Sequence, residues 1–214
     1  MKKELINNVN LQNLITLKCN KFDFDEITDE EIESISELTI HGKLINGQNA
    51  GINLAKSIEL FEGLEILSLS DFAITQEVIK KLKLLEKLRK LEIVNCDFYD
   101  VDFSDILKSI NVRFVGCKEL PFKIQGKKII VEGCNIDMNN ISLKGAEELS
   151  LISCFIRNAK DLESAEELQI VNLNGSILTG SNNEKIANIK VPENCSYSHI
   201  DDVTQVYDRF IEQE

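Results

Sequence analysis

No stretch of the 214-residue chain approaches the roughly 18 consecutive apolar residues that a membrane helix needs, so no membrane partner is expected. The opening MKKELINNVNLQNL carries two lysines but no apolar run of about seven residues behind them. A secretory signal is therefore not expected, and the expected location is the cytoplasm. An excess of positive charge is missing as well. Lysine and arginine total 24 against 36 aspartates and glutamates, a formal net charge of -12 with a pI near 4.8. Such a chain would repel phosphates instead of releasing their counterions, which sets nucleic acid aside. Its field would steer a partner of basic character.

Chemical signatures are equally scarce. The only two histidines, His41 and His199, have no spaced partner. There is no GxSxG, GxxxxGK[ST] or GxGxxG stretch, so acyl transfer and phosphate binding lack their usual backbone devices. Six cysteines occur without a CxxC or HxxxH pair, which argues against zinc. Asp23, Asp25 and Asp29 have calcium-like intervals, but the loop has no glycine at its sixth position and no asparagine or aspartate at its fifth. They read instead as the acidic entry of a helix. No catalytic residue, metal or cofactor is expected. The basic run Lys80, Lys81, Lys83, Lys87, Arg89, Lys90 reads as a solvated helix whose positive residues favour its C-terminal end. Residues 46–51, NGQNAG, read as a surface loop.

What is present is a repeat. Five segments align with their apolar residues in the same columns: ISELTIHGKLI (35–45), LEILSLSDFAI (64–74), LRKLEIVNCDF (88–98), AEELSLISCFI (146–156) and LQIVNLNGSIL (168–178). Each places two apolar residues at strand spacing, predicting a short strand with an inward pair. With two more from the coils between 98 and 146, the pairs are Leu38/Ile40, Leu67/Leu69, Leu91/Ile93, Val112/Phe114, Ile129/Val131, Leu149/Leu151 and Val171/Leu173. Leu168/Ile170 is a second possible register for the last of these, but Val171/Leu173 matches 64–74 in every apolar column. Two weaker pairs flank the series, Ile15/Leu17 with Asn20 and Ile189/Val191 with Asn194. Successive pairs are 17 to 29 residues apart, so the coils vary in length.

The columns resemble the leucine-rich repeat motif LxxLxLxx(N/C)xL over nearly the whole chain. The ITDEEIESISELTI opening (27–40) resembles bacterial, internalin-like repeats, although the regular 22-residue spacing is missing and neither a signal peptide nor a wall anchor is expected. The resemblance implies an α/β solenoid: a curved parallel sheet on the concave side, with short helices and irregular segments on the convex side. A single domain over 1–214 is expected, with 1–24 as N-terminal cap or first degenerate coil and 195–214 as a C-terminal capping helix. Solenoids need such caps because their end coils would otherwise expose the core. Ser198 could start that last helix, with Ile200, Val203, Val206, Tyr207, Phe210 and Ile211 at helical intervals. Further helices are expected after Thr28, where Glu31 completes a capping-box pattern, over 76–88 and over 103–110. Around Leu120-Pro121-Phe122 the backbone is expected to be extended or 3₁₀.

Cys96, Cys117, Cys134 and Cys154 all fall in the small/polar column, three residues after the second inward residue. There a free thiol serves as a small buried hydrophobe with a weak donor. On the concave side the alternate residues should form a binding surface. Its centre groups Val94, Val115, Ile130 and Ile152 with Glu92, Arg113, Glu132 and Ser150 nearby and Lys128 on the rim, the layout of a protein-contact patch. What the family implies is protein–protein recognition, so the expected function is a non-catalytic, monomeric binding module. Alternatives are an acidic inhibitor or immunity-type protein covering a basic toxin or enzyme, an enzyme or metal protein built on the cysteine column, and a self-assembling structural element.

Overall fold

In-register stacking of these short apolar strands is the organising feature of the computed structural model, which describes residues 2–43, 47–101, 103, 110–120 and 123–199. In chain order the elements are α1 (Val9–Lys18), α2 (Asp29–Glu33), β1 (Glu37–His41), α3 (Leu54–Ile58), β2 (Ile66–Ser70), β3 (Ala73–Thr75), α4 (Gln76–Leu82) and β4 (Lys90–Val94). There follow β5 (Asp97–Tyr99), β6 (Asn111–Val115), β7 (Lys128–Glu132), β8 (Asn135–Asp137), β9 (Glu148–Ile152), β10 (Phe155–Arg157), β11 (Ile170–Asn172), β12 (Ile177–Thr179), β13 (Lys185–Ile186) and β14 (Ser196–Ser198).

The long sheet runs β1-β2-β4-β6-β7-β9-β11-β14, with every neighbouring pair parallel. Leu38, Leu67, Leu91, Val112, Ile129, Leu149 and Val171 stand opposite one another across it, so the register through Val171 is the one adopted. Ile40, Leu69, Ile93, Phe114, Val131 and Leu151 make the second inward row, and all six are fully buried. The chain is thus a parallel β-solenoid whose apolar core runs along its length.

Behind this sheet the first coils carry α2, α3 and α4, whereas later coils carry short strands. β8, β10 and β12 form a parallel ladder, which antiparallel β13 extends, and β3 pairs with β5. Ile74, Ile136, Ile156 and Leu178 point inward from these strands. Phe98, Phe103 and Phe114 fill the middle with edge-to-face contacts of 5.9–6.0 Å.

In the long sheet, the coils from β2 to β11 each carry one left-handed residue after the strand. Asp71 (φ 59°), Asn95 (50°), Gly116 (62°), Gly133 (60°), Ser153 (51°) and Gly175 (70°) occupy equivalent places. Glycine, asparagine and aspartate tolerate that region best. The reversal directs the next residue inward, and in four coils that residue is a cysteine. Cys96, Cys117 and Cys154 donate to the carbonyls of Leu69, Ile93 and Val131 in the preceding coil at 3.8, 3.8 and 3.4 Å. Ser176 does the same to Leu151 at 2.7 Å and accepts from the Cys154 N–H at 2.9 Å. The column supplies hydrogen bonds where the turning backbone leaves carbonyls without ladder partners.

Four expectations need correction or restriction. Ile15/Leu17 is no strand pair, because residues 9–18 form α1. Asn8 caps it by accepting from the Leu11 N–H, and the helical spacing of Leu11 and Ile15 buries both while Leu17 is 78% exposed. The final strand is Ser196–Ser198, with Tyr197 opposite Val171, and not 189–191. Pro192 follows that segment and has no N–H to give a ladder, and the chain turns there, with Cys195 N–H donating to Pro192 O. The helix expected over 76–88 ends at Leu82. Leu85 and Leu88 are buried from turns beyond it, while Leu84 is exposed. Of the capping helix expected over 195–214 from Ser198, the described start is strand β14 and residues 200–214 lie outside the described residues, as do the Pro121-Phe122 step and most of 103–110. The capping box at α2 forms as expected, Thr28 and Glu31 satisfying each other's backbone N–H. Among the described residues no helix is long and apolar enough to cross a membrane.

Candidate interaction surface

The alternation that buries one row of each long strand turns the other rows outward. Three rows result, and strand pairing fixes who neighbours whom. The middle row reads Thr39, Ser68, Glu92, Arg113, Ile130, Ser150, Asn172. The row beyond it reads His41, Ser70, Val94, Val115, Glu132, Ile152.

Arg113 is the hub. Its Nη1 donates to Glu92 Oε1 at 2.5 Å, and its Nη2 donates to both Glu132 oxygens at 3.0 Å. Ser68 Oγ donates to Glu92 Oε2 at 3.3 Å, extending the network to β2. Hydrogen bonds from the guanidinium to Glu132, followed by the pull of Glu92, raise the Arg113 pKa above its already high ordinary value. A second, smaller network joins Lys128 to Glu148 at 3.3 Å, and Ser150 Oγ donates to Glu148 Oε1 at 3.2 Å. These pairs hold long side chains in defined places on a rigid sheet.

The apolar residues expected among them are dispersed. Val94 and Val115 are neighbours, but Glu132 separates Val115 from Ile152, and Ile130 sits in the middle row between Arg113 and Ser150. All four are half-buried, and Ser150 is buried. Thus the eight residues share one face, but as charge-interleaved apolar spots and not as one patch. The large apolar side chain most exposed on this face is Ile170 of β11, 43% exposed and outside the expected group. Four carboxylates (Glu37, Glu92, Glu132, Glu148) stand against three cations (Lys90, Arg113, Lys128), so the face is close to neutral despite the chain's charge of -12.

Sequence reasoning missed a contact at the first edge of the sheet. His41 Nδ1 lies 2.5 Å from Ser70 Oγ. Their shared row position after the second inward residue was the available signal. Ser70 is buried, and the N–H of its neighbour Asp71 donates to Val94 O. His199, far along the chain, faces the Ser176 carbonyl at 3.2 Å.

The cysteine column is enclosed. Burial pushes the Cys96 and Cys154 thiols up to about 12. A hydrogen bond with Cys134, together with burial, drives Cys117 higher still. All six cysteines are free, and no group of three or more metal-ligating side chains is assembled among the described residues. The acidic residues near α2 are engaged with the N-terminus of the chain. Asp29 Oδ1 accepts from the Lys3 N–H at 2.8 Å, and that bond holds its carboxyl below the usual range. In the basic run, Lys81 pairs with Glu59 and Arg89 with Glu65 at 2.8 Å.

A cleft of about 460 Å³ opens where β2 and β4 run out, lined by Asp71, Asp97, Glu77 and Lys43. Its lining mixes these charges with apolar side chains such as Ile52, Leu54, Phe72 and Val78. No protein-family model matches the chain, and no curated protein matches it.

Proposed function

We propose that the chain is a recognition module of the leucine-rich repeat type, without catalytic activity, that binds another protein through the outward face of its long sheet. The observation that carries this reading is the Glu92–Arg113–Glu132 network. It holds a guanidinium fork and two carboxylates at the middle of a rigid sheet beside the half-buried Val94 and Val115. Ordered charged side chains interleaved with small apolar spots suit a protein interface, where arginine anchors contribute disproportionately and ordered groups lose less freedom on binding. The repeat-type reading draws support from the unbroken inward rows and from the hydrogen-bonding column beneath the turns. The short strands behind the later coils are a departure from the internalin-like pattern. High thiol pKa values keep the column protonated, which favours core packing over a metal or nucleophile role.

Affinity capture with wild type beside a Val115→Asp/Ile152→Asp variant of unchanged circular dichroism tests the reading. A protein retained by the wild type and released by the variant supports it. Equal retention moves the site off this face, and absence of any specific ligand over repeated sources defeats it. An acidic inhibitor of a basic protein is the second reading, favoured by the net charge alone. Since the sheet face is near neutral, that partner would contact the edges, and its affinity would fall steeply with salt.

A further inference from the structure

The N-terminal cap carries an apolar stripe turned away from the core. α1 buries Leu11 and Ile15 against the first coil, yet Val9 and Leu17 on its opposite side are 64% and 78% exposed. Leu5 before the helix is 66% exposed, and Phe22 after it is fully exposed. An ordinary surface helix is polar opposite its buried face, and one apolar on both faces is covered on both. Asn13, exposed, lies midway between Val9 and Leu17, four residues from each, and so shares their face.

The stripe is self-complementary. Read outward from Asn13, α1 has an aliphatic residue four positions away on either side, and the exposed Leu5 and Phe22 precede and follow the helix. We infer that α1 is a homodimer contact in which two copies pack their α1 helices antiparallel about a two-fold axis through Asn13. That arrangement sets Val9 against the second copy's Leu17, Leu5 against its Phe22, and the two Asn13 amides face to face, where each can donate and accept. It also brings Glu4 of one copy toward Lys18 of the other. Neither makes an ion pair among the described residues. An isologous contact of this kind needs only one surface to be suitable. The four exposed apolar side chains Leu5, Val9, Leu17 and Phe22 offer on the order of 500 Å² per copy, which with polar flanks would reach the roughly 1,200 Å² where specific interfaces begin. The contact uses none of the residues assigned to the sheet face, so the inference stands apart from the proposed function.

Light scattering after size exclusion tests it on the full chain. Wild type at micromolar concentration should show twice the 24.2 kDa chain mass, and Leu17→Glu, with unchanged circular dichroism, should show the single mass. Asn13→Asp and Asn13→Lys should each shift the dimer toward monomer by tenfold or more in Kd. Mixed one to one, they should recover the double mass, because opposite charges then meet at the axis. A wild type that is monomeric at 100 μM overturns the inference. So does a dimer indifferent to Leu17→Glu, or a pair of Asn13 variants that fails to recover the dimer on mixing.

Discussion

At the scale of single residues, the thiol column makes stability sensitive to alkali. The folded pKa of Cys96, Cys117 and Cys154 lies above the unfolded value near 9. Their contribution is therefore complete below about pH 9, where both states hold the proton, and is lost as pH rises toward 12 and the unfolded chain ionises. The expected slope is about 1.4 kcal/mol per pH unit for each thiol, read from urea midpoints between pH 8 and pH 11. A Cys96→Ala variant should show a shallower fall, and native thiol titration should leave the column unreacted. Gly116 is the other sensitive position. It is left-handed, and a Cβ there would lie 2.3 Å from the Asn95 side-chain oxygen. Gly116→Ala should cost about 1–3 kcal/mol in denaturant unfolding, unless the Asn95 side chain swings clear, in which case the lower value applies.

Within elements, packing and register count for more than propensity. β4, β6 and β7 bury alternate residues and hold Glu92 beside Arg113 and Glu132 diagonal to it on the other face. The Arg113 side chain is 37% exposed, so the pair to Glu132 is partly screened. Arg113→Ala should cost less than about 1 kcal/mol of stability. If the sheet face binds a partner, the same substitution should weaken that binding tenfold or more. Measuring both by calorimetry separates a recognition role from a structural one. α1 shows the same rule from the other side. A strand-like pair, Ile15/Leu17, was legible in its sequence, but Leu11 and Ile15 reach the core together only as a helix, and Asn8 at its start satisfies a backbone donor. The period of two over three residues is too short a signal to outweigh that.

For the molecule as a whole, each coil rests on its neighbours, so damage should spread along the array. Leu91 is fully buried between Leu67 and Val112. Leu91→Ala should cost about 2–5 kcal/mol. Amide exchange should rise in β2 and β6 as well as β4, and a rise confined to β4 would contradict nearest-neighbour coupling. The negative charge belongs to this scale also. Because the sheet face nearly balances its own charges, most of the acidic excess sits elsewhere on the molecule, and long-range attraction need not coincide with the contact surface.

Much of this architecture could be read from the chain alone. Seven inward pairs, the register through Val171 and the inward cysteine column followed from apolar spacing, because a buried row tolerates only one periodicity and a slip of one residue would expose it. The left-handed column was present as D, N, G, G, S and G at constant register, though its meaning emerged only from backbone angles. Tertiary structure decided the rest. That Glu132 parts Val115 from Ile152, that Arg113 bridges two strands and that His41 meets Ser70 all depend on which side chains strand pairing brings within reach. So do the end coils, where Leu17 turns outward and Ser196–Ser198 replaces 189–191 as the last strand. An end coil packs on one side only, and its short apolar pattern is satisfied as well by a helix or a turn as by a strand.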